Sequence, residues 1–271
     1  MATASSAGLE SDSASVLHDS NRLAVRLLPC DVVARVAPVA HQAAGLEVEL
    51  AQLLAGAGCP VAGLDPRVEA RVHERDGFTV TLWTYYDQAA GPDISPADYA
   101  AALARLHDGM RTVDVTVPHF TDRVAQAQEL VASRDRTPEL PDSERDLLAR
   151  TLRERSRLIG EHGRDEQLLH GEPHPGNVLH TKPGPLFMDF ENTAFGPVEY
   201  DLAWVPEEVS ADYPDIDGDL LDDCRGVVLA IVAMHRWRRG DQHPSGRESG
   251  VAFVDVLRAG PPWPALDSVH W

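Results

Sequence analysis

Residues 168–180 read LLHGEPHPGNVLH, and residues 187–191 read FMDFE. His170, Glu172, His174, Asn177 and Asp189 are the groups there that could move protons, hold metal ions or bind polar substrates. Gly171, Pro173, Pro175 and Gly176 forbid a helix across the first stretch. That argues against a helical zinc site, in which histidines at i and i+4 share one face. No G-x-S-x-G elbow occurs, and no cysteine stands in a recognised nucleophile context. The phosphate loops G-x-x-x-x-G-K-[ST] and G-x-G-x-x-G are absent too, since Gly56-Ala57-Gly58 ends a helical pattern instead of opening one.

Phosphoryl transfer fits the remaining pattern. It needs a carboxylate to orient a hydroxyl, oxygen ligands for Mg²⁺, and a cation on the other phosphate oxygens. In the kinase arrangement an H-x-D-x-x-x-x-N loop precedes a strand that ends in a metal-binding aspartate. His170-Gly171-Glu172, then Asn177, then Asp189 after a short apolar run match that order and spacing.

The rest of the chain must supply the frame. Arg22–Leu28 and Val32–Val36 read as strands joined across Pro29-Cys30-Asp31, and Arg67–His73 and Phe78–Trp83 as a second hairpin around Asp76-Gly77. Between them residues 40–55 carry a helical apolar pattern. Helical periodicity then dominates 96–107, 121–133, 143–160, 219–238 and 250–258, with Ser95, Thr121 and Asp142 as cap candidates. The expected fold is α+β in two lobes, with a small antiparallel β-rich lobe over 16–86 and a larger, mainly helical lobe over 87–271. Residues 1–15 read as a flexible tail.

HGEPHPGNVL followed by FMDFENTAFGPVEYDLAW resembles the aminoglycoside phosphotransferase/choline kinase family, relatives of the protein kinases. The family commonly reads H-G-D-x-H-x-G-N, a D-F/W-E strand end, then Y-D-L/I-A. The resemblance implies the two-lobe kinase-like fold and an ATP- or GTP- and Mg²⁺-dependent transfer to a hydroxyl. It puts Glu172 at the catalytic carboxylate, Asn177 and Asp189 at the Mg²⁺ ligands, and His170 and Asp201 as braces of the loop. Arg35, in Val33-Ala34-Arg35, stands at the phosphate-gripping cation. Its partner is Glu47, with Glu49 the alternative. Asn21 belongs to the phosphate-covering turn 18–22, and Thr81–Asp87 to the adenine hinge.

Three departures mark this chain. Glu172 replaces aspartate, which moves the carboxylate out by about 1.5 Å, on the scale that matters for reacting groups. Arg35 replaces lysine. The turn His18-Asp19-Ser20-Asn21-Arg22 has no glycine.

The formal net charge of −19 argues against a nucleic-acid partner, and no apolar run approaches a membrane span. Cys30, Cys59 and Cys224 form no paired motif and point to reduced thiols in the cytoplasm. Asp201–Asp223 holds nine carboxylates and no lysine or arginine, an acidic wall able to draw in a cation. The expected partner is therefore a small cationic acceptor, an aminoglycoside or cyclic-peptide antibiotic, bound by a monomer or homodimer. The alternatives are a metabolite kinase of the choline, amino-sugar or homoserine type, and a non-catalytic nucleotide- or drug-binding protein. Arg236-Trp237-Arg238-Arg239 reads as a solvated helix end.

Overall fold

The fold was obtained as a computed structural model, which describes residues 1–19, 22–89, 93–241 and 243–269. It opens with a short helix, α1 (Ala2–Ser6), and the strands β1 (Ser11–Asp19), β2 (Leu23–Pro29) and β3 (Val32–Pro38). Helix α2 (Ala44–Gly56) precedes β4 (His73–Arg75) and β5 (Phe78–Thr84). These strands form one antiparallel sheet in the order β1-β2-β3-β5-β4. Side chains alternate across a strand, so Val32 and Ala34 of β3 enter a small core with Leu27, Val80 and Leu82. Arg35 is thereby left on the opposite face.

The expected tail is not one. Residues 2–6 are helical, and most of β1 lies within 1–15, paired to β2 from Ser11↔Pro29 to Asp19↔Leu23. Eight of its nine residues are exposed. An edge strand held by backbone pairing buries no alternating apolar face, so its sequence carries little strand signal. The first arm of the second hairpin, expected over Arg67–His73, is shorter and lies later, at β4. Upstream, Arg67 donates from its backbone N–H and its guanidinium to Asp65, at 3.0 Å and at 2.9 and 2.6 Å, and curls the chain into a turn. Asp76 and Gly77 both take positive φ, 52° and 82°, as a two-residue hairpin turn requires.

The helical lobe contains α3 (Pro96–Met110), α4 (Phe120–Ala132), α5 (Asp142–His162), α6 (Val198–Leu202), α7 (Glu207–Asp212), α8 (Gly218–Arg236) and α9 (Gly246–Ala259). Short strands β6 (Gln167–Leu169) and β9 (Ala194–Gly196) pair with each other, as do β7 (Val178–Thr181) and β8 (Gly184–Phe187). Ser95 caps α3 as expected, its hydroxyl accepting from Asp98 N–H. At α4 the cap is His119, two residues before Thr121, and Pro141 precedes α5. Helix α8 packs against α5 and α9 and is buried nearly all round through Val227–Ile231, the pattern of a central core helix. No helix among the described residues is long and apolar enough to cross a membrane.

His235, in the last turn of α8, adds a pH dependence. Burial, with Arg123, Arg236 and Arg238 facing it, lowers its pKa from 6.5 to about 4. The folded pKa lies below the unfolded one, so the associated stability is present above about pH 6.5 and is lost as pH falls towards 4. Allowing for its partial exposure, about 2 kcal/mol is involved. His235→Gln is expected to lose that much less stability than the wild type between pH 7 and 4.5 in denaturant titrations. Parallel pH dependences would refute the assignment.

Candidate active site

The loop between β6 and β7 hangs from one buried carboxylate. Asp201, in α6, accepts from the backbone N–H of His170 at 2.9 Å and of Gly171 at 2.7 Å, and lies 2.9 Å from Nε2 of His107. Asp201 and His107 are fully buried. Gly171 takes φ 86° and passes so close to the carbonyl of Asn192 that a Cβ would sit 1.8 Å from that oxygen. Only glycine fits there. His170 sits between Phe187 and Phe190, with Nε2 3.0 Å from the Met188 carbonyl and Nδ1 accepting from Glu172 N–H at 3.4 Å. Burial lowers its pKa, which keeps the ring neutral. Its geometry is that of a brace.

Glu172 and Asn177 follow on this loop, both half-buried. Asn177 Nδ2 donates to the Glu172 carbonyl at 2.9 Å, which closes the loop on itself. The carboxylate of Glu172 accepts from Asn192, and Arg123 Nη2 approaches it at 3.4 Å. Arg123 reaches over from α4, donates to the Gly171 carbonyl at 3.2 Å, and stacks on buried Trp204. His174 Nδ1 accepts from Gly176 N–H, so it holds the turn.

Met188 N–H donates to the Asn177 carbonyl at 3.0 Å, so Asp189 follows directly beside Asn177. Asp189 takes φ 70°, which turns its carboxylate out of the strand direction towards the sheet above. There Arg35 donates to Asp189 Oδ2 at 2.8 Å and to Glu47 Oε1 at 3.2 Å. Glu47 is buried and Glu49 exposed, which separates two candidates that helical spacing could not. Burial pushes the Glu47 carboxyl up, to about 6, against the opposing pull of Arg35 and Arg22. At Asp189 burial pushes the same way, but Arg35, Arg22 and His170 outweigh it and lower the pKa.

The geometry adds residues that the sequence did not single out. Arg22 bonds to Glu47 and Glu191. Glu191 lies inside the quoted FMDFE, and Arg22 is one position beyond Asn21. Asn21 itself lies outside the described residues. Arg123 and Asn192 had no local signal. The donor set suits a hard divalent cation. Among the described residues Asp189 Oδ1 is buried without a hydrogen-bond partner, and the Asn177 amide donates through Nδ2, which leaves its oxygen as an acceptor.

Residues 6–226 match the model of the phosphotransferase enzyme family. The chain belongs to that family. No curated protein matches the sequence. Solved structures similar to this phosphotransferase family member include the amicoumacin kinase hAmiN in complex with AMP-PNP, Ca²⁺ and Ami. It is 11% identical, with TM-score 0.71, covering 92% of this chain and 89% of that one. Choline kinase LicA from Streptococcus pneumoniae is 13% identical, with TM-score 0.69, covering 96% of both chains. The GDP complex of wild-type aminoglycoside 2'-phosphotransferase-IIIa is 18% identical, with TM-score 0.66, covering 92% and 93%. At these identities the likeness establishes the kinase-like fold.

Part of the acidic stretch of this phosphotransferase is committed to its own structure. Beyond Asp201, Asp217 caps α8, Asp222 accepts from Trp263 N–H at 2.6 Å, and Asp223 pairs with Arg155 at 2.9 Å. Glu207 pairs with Arg225 at 2.9 Å and Asp215 with Arg164 at 3.6 Å. Glu208, Asp212 and Asp219 are exposed, and so are Glu207 and Asp215 despite those pairings.

Proposed function

We propose that the protein transfers the terminal phosphoryl group of ATP or GTP to a hydroxyl of a small cationic molecule. The convergence of Arg35, Glu47 and Asp189 beneath the sheet, one loop away from Glu172, carries this reading. Arg35, fixed by Glu47, grips the phosphates of a nucleotide whose base lies against the hinge at Thr81–Asp87. Asn177 and Asp189 are the groups that would hold Mg²⁺, which when bound neutralises charge on the phosphates. Glu172 accepts a hydrogen bond from the acceptor hydroxyl and aims its oxygen in line with the phosphorus. The guanidinium of Arg123, 3.4 Å from that carboxylate, holds its direction, which suits a role in orienting the hydroxyl. Asn192 holds the carboxylate in place, and this contact compensates for the extra methylene of glutamate.

Two observations support a cationic acceptor. The net charge of −19 draws cations towards the site, and similar solved structures include aminoglycoside and spectinomycin phosphotransferases, an amicoumacin kinase and a choline kinase. The deciding assay is nucleotide consumption with Mg²⁺ across cationic antibiotics and small amino alcohols, alongside Glu172→Ala. Acceptor-dependent turnover is expected, with kcat lowered on the order of 100-fold in the variant. A flat panel in which ATP still raises the melting temperature would favour a nucleotide-binding protein without transferase activity.

A further inference from the structure

Arg22 immediately precedes β2, at the foot of the segment expected to cover the phosphates, and residues 18–22 contain no glycine. Without glycine, backbone amides are less free to close on a phosphate chain. A side-chain fork can supply those donors instead. Arg22 is nearly buried, and its two terminal nitrogens are directed onto Glu47 and Glu191, with Nη1 3.6 Å from Asp189 Oδ1. Arg35 meets the same pair from the other side, taking the second oxygens of Glu47 and Asp189. Two guanidiniums thus share one buried carboxylate and converge on Asp189.

Their partners differ in exposure. The Glu47 side chain is 3% exposed and that of Glu191 25% exposed. A ligand can displace the exposed one. Carboxylate and phosphate oxygens accept from a guanidinium in the same forked geometry, so the exchange preserves charge-assisted hydrogen bonds.

We propose that Arg22 is a second phosphate-holding cation, which exchanges Glu191 for the terminal phosphate oxygens of a bound nucleoside triphosphate while Glu47 keeps it aimed. The proposal rests on the nucleotide-binding reading above. It makes Arg22 the residue that discriminates by length of the phosphate chain.

Calorimetric affinities for ATP, ADP, adenosine and inorganic tripolyphosphate, first in EDTA and then with Mg²⁺, test it without relying on turnover. In EDTA, Arg22→Gln is expected to weaken ATP and tripolyphosphate by about 10- to 100-fold, with adenosine unchanged. Arg22→Lys, which keeps the charge and loses the fork, recovers part of the loss. Glu191→Gln frees Arg22 and tightens ATP several-fold in EDTA, and this variant carries the test if Arg22→Gln does not fold. Equal weakening of adenosine and ATP makes Arg22 a structural latch and overturns the proposal. Unchanged ATP affinity in Arg22→Gln, or weaker ATP binding in Glu191→Gln, overturns it as well. A wild type that binds none of the four ligands removes the nucleotide-binding reading along with it.

Discussion

Asp189→Asn is expected to lower kcat/KM for phosphotransfer by about 1,000-fold or more, while the melting temperature moves by only a few degrees. Asparagine keeps the size of the side chain and tolerates the left-handed backbone at φ 70°, where alanine would add strain of its own. What it removes is charge. Among the described residues, Asp189 stands next to Asn177, has a buried oxygen free of hydrogen-bond partners, and has a lowered pKa. A metal ion on transferring phosphates contributes several kcal/mol of charge stabilisation, which is about three orders of magnitude in rate. Stability is largely spared because Arg35 keeps Glu47, and Arg22 keeps both Glu47 and Glu191. Steady-state kinetics with any acceptor that turns over, beside a melting curve, measures both halves. A variant that retains more than about a tenth of wild-type kcat/KM would remove Asp189 from the metal-holding role.

How much of this site can be read in the sequence depends on how local each relation is. His170, Glu172 and Asn177 lie within one loop whose glycines and prolines leave few conformations, so their spacing already implies their grouping. Asp189 is a short hairpin further on. Arg35 is identified through the resemblance of Val33-Ala34-Arg35 to the family's phosphate-gripping segment, but its partner is decided by the rotation of α2. Glu47 and Glu49 both sit at the edge of the apolar stripe, and only packing against the sheet buries one and exposes the other. Arg123 has no local signature, because α4 reaches the loop through the packing of the whole helical lobe. The same reasoning explains the terminal segment. Strand β1 is joined to the sheet by backbone hydrogen bonds, which no side-chain pattern announces. The acidic stretch shows the converse error. Composition suggested one surface, whereas the fold sends Asp201, Asp217, Asp222 and Asp223 to four separate structural tasks.

Asp201→Ala is expected to cost about 3–5 kcal/mol of folding stability, which for a chain of this size corresponds to a fall in melting temperature of roughly 10 °C. The carboxylate is fully buried and accepts from two consecutive backbone N–H groups, with His107 as a third partner. Its removal leaves those donors without acceptors, at about 1–3 kcal/mol each, although relaxation offsets part of the sum. His107 cannot turn to another acceptor freely, since its Nδ1 is held 2.7 Å from the Tyr213 hydroxyl. The damage also reaches the chemistry. Asp201 fixes the two residues immediately before Glu172, and Gly171 already passes within a Cβ's reach of the Asn192 carbonyl, so the loop has little room in which to resettle. Asp201→Asn should fall between the wild type and alanine, because it restores one acceptor oxygen but turns an N–H₂ towards groups that donate. Thermal unfolding followed by circular dichroism ranks the three proteins. An alanine variant that melts within about 2 °C of the wild type would mean that Asp201 does not suspend this loop.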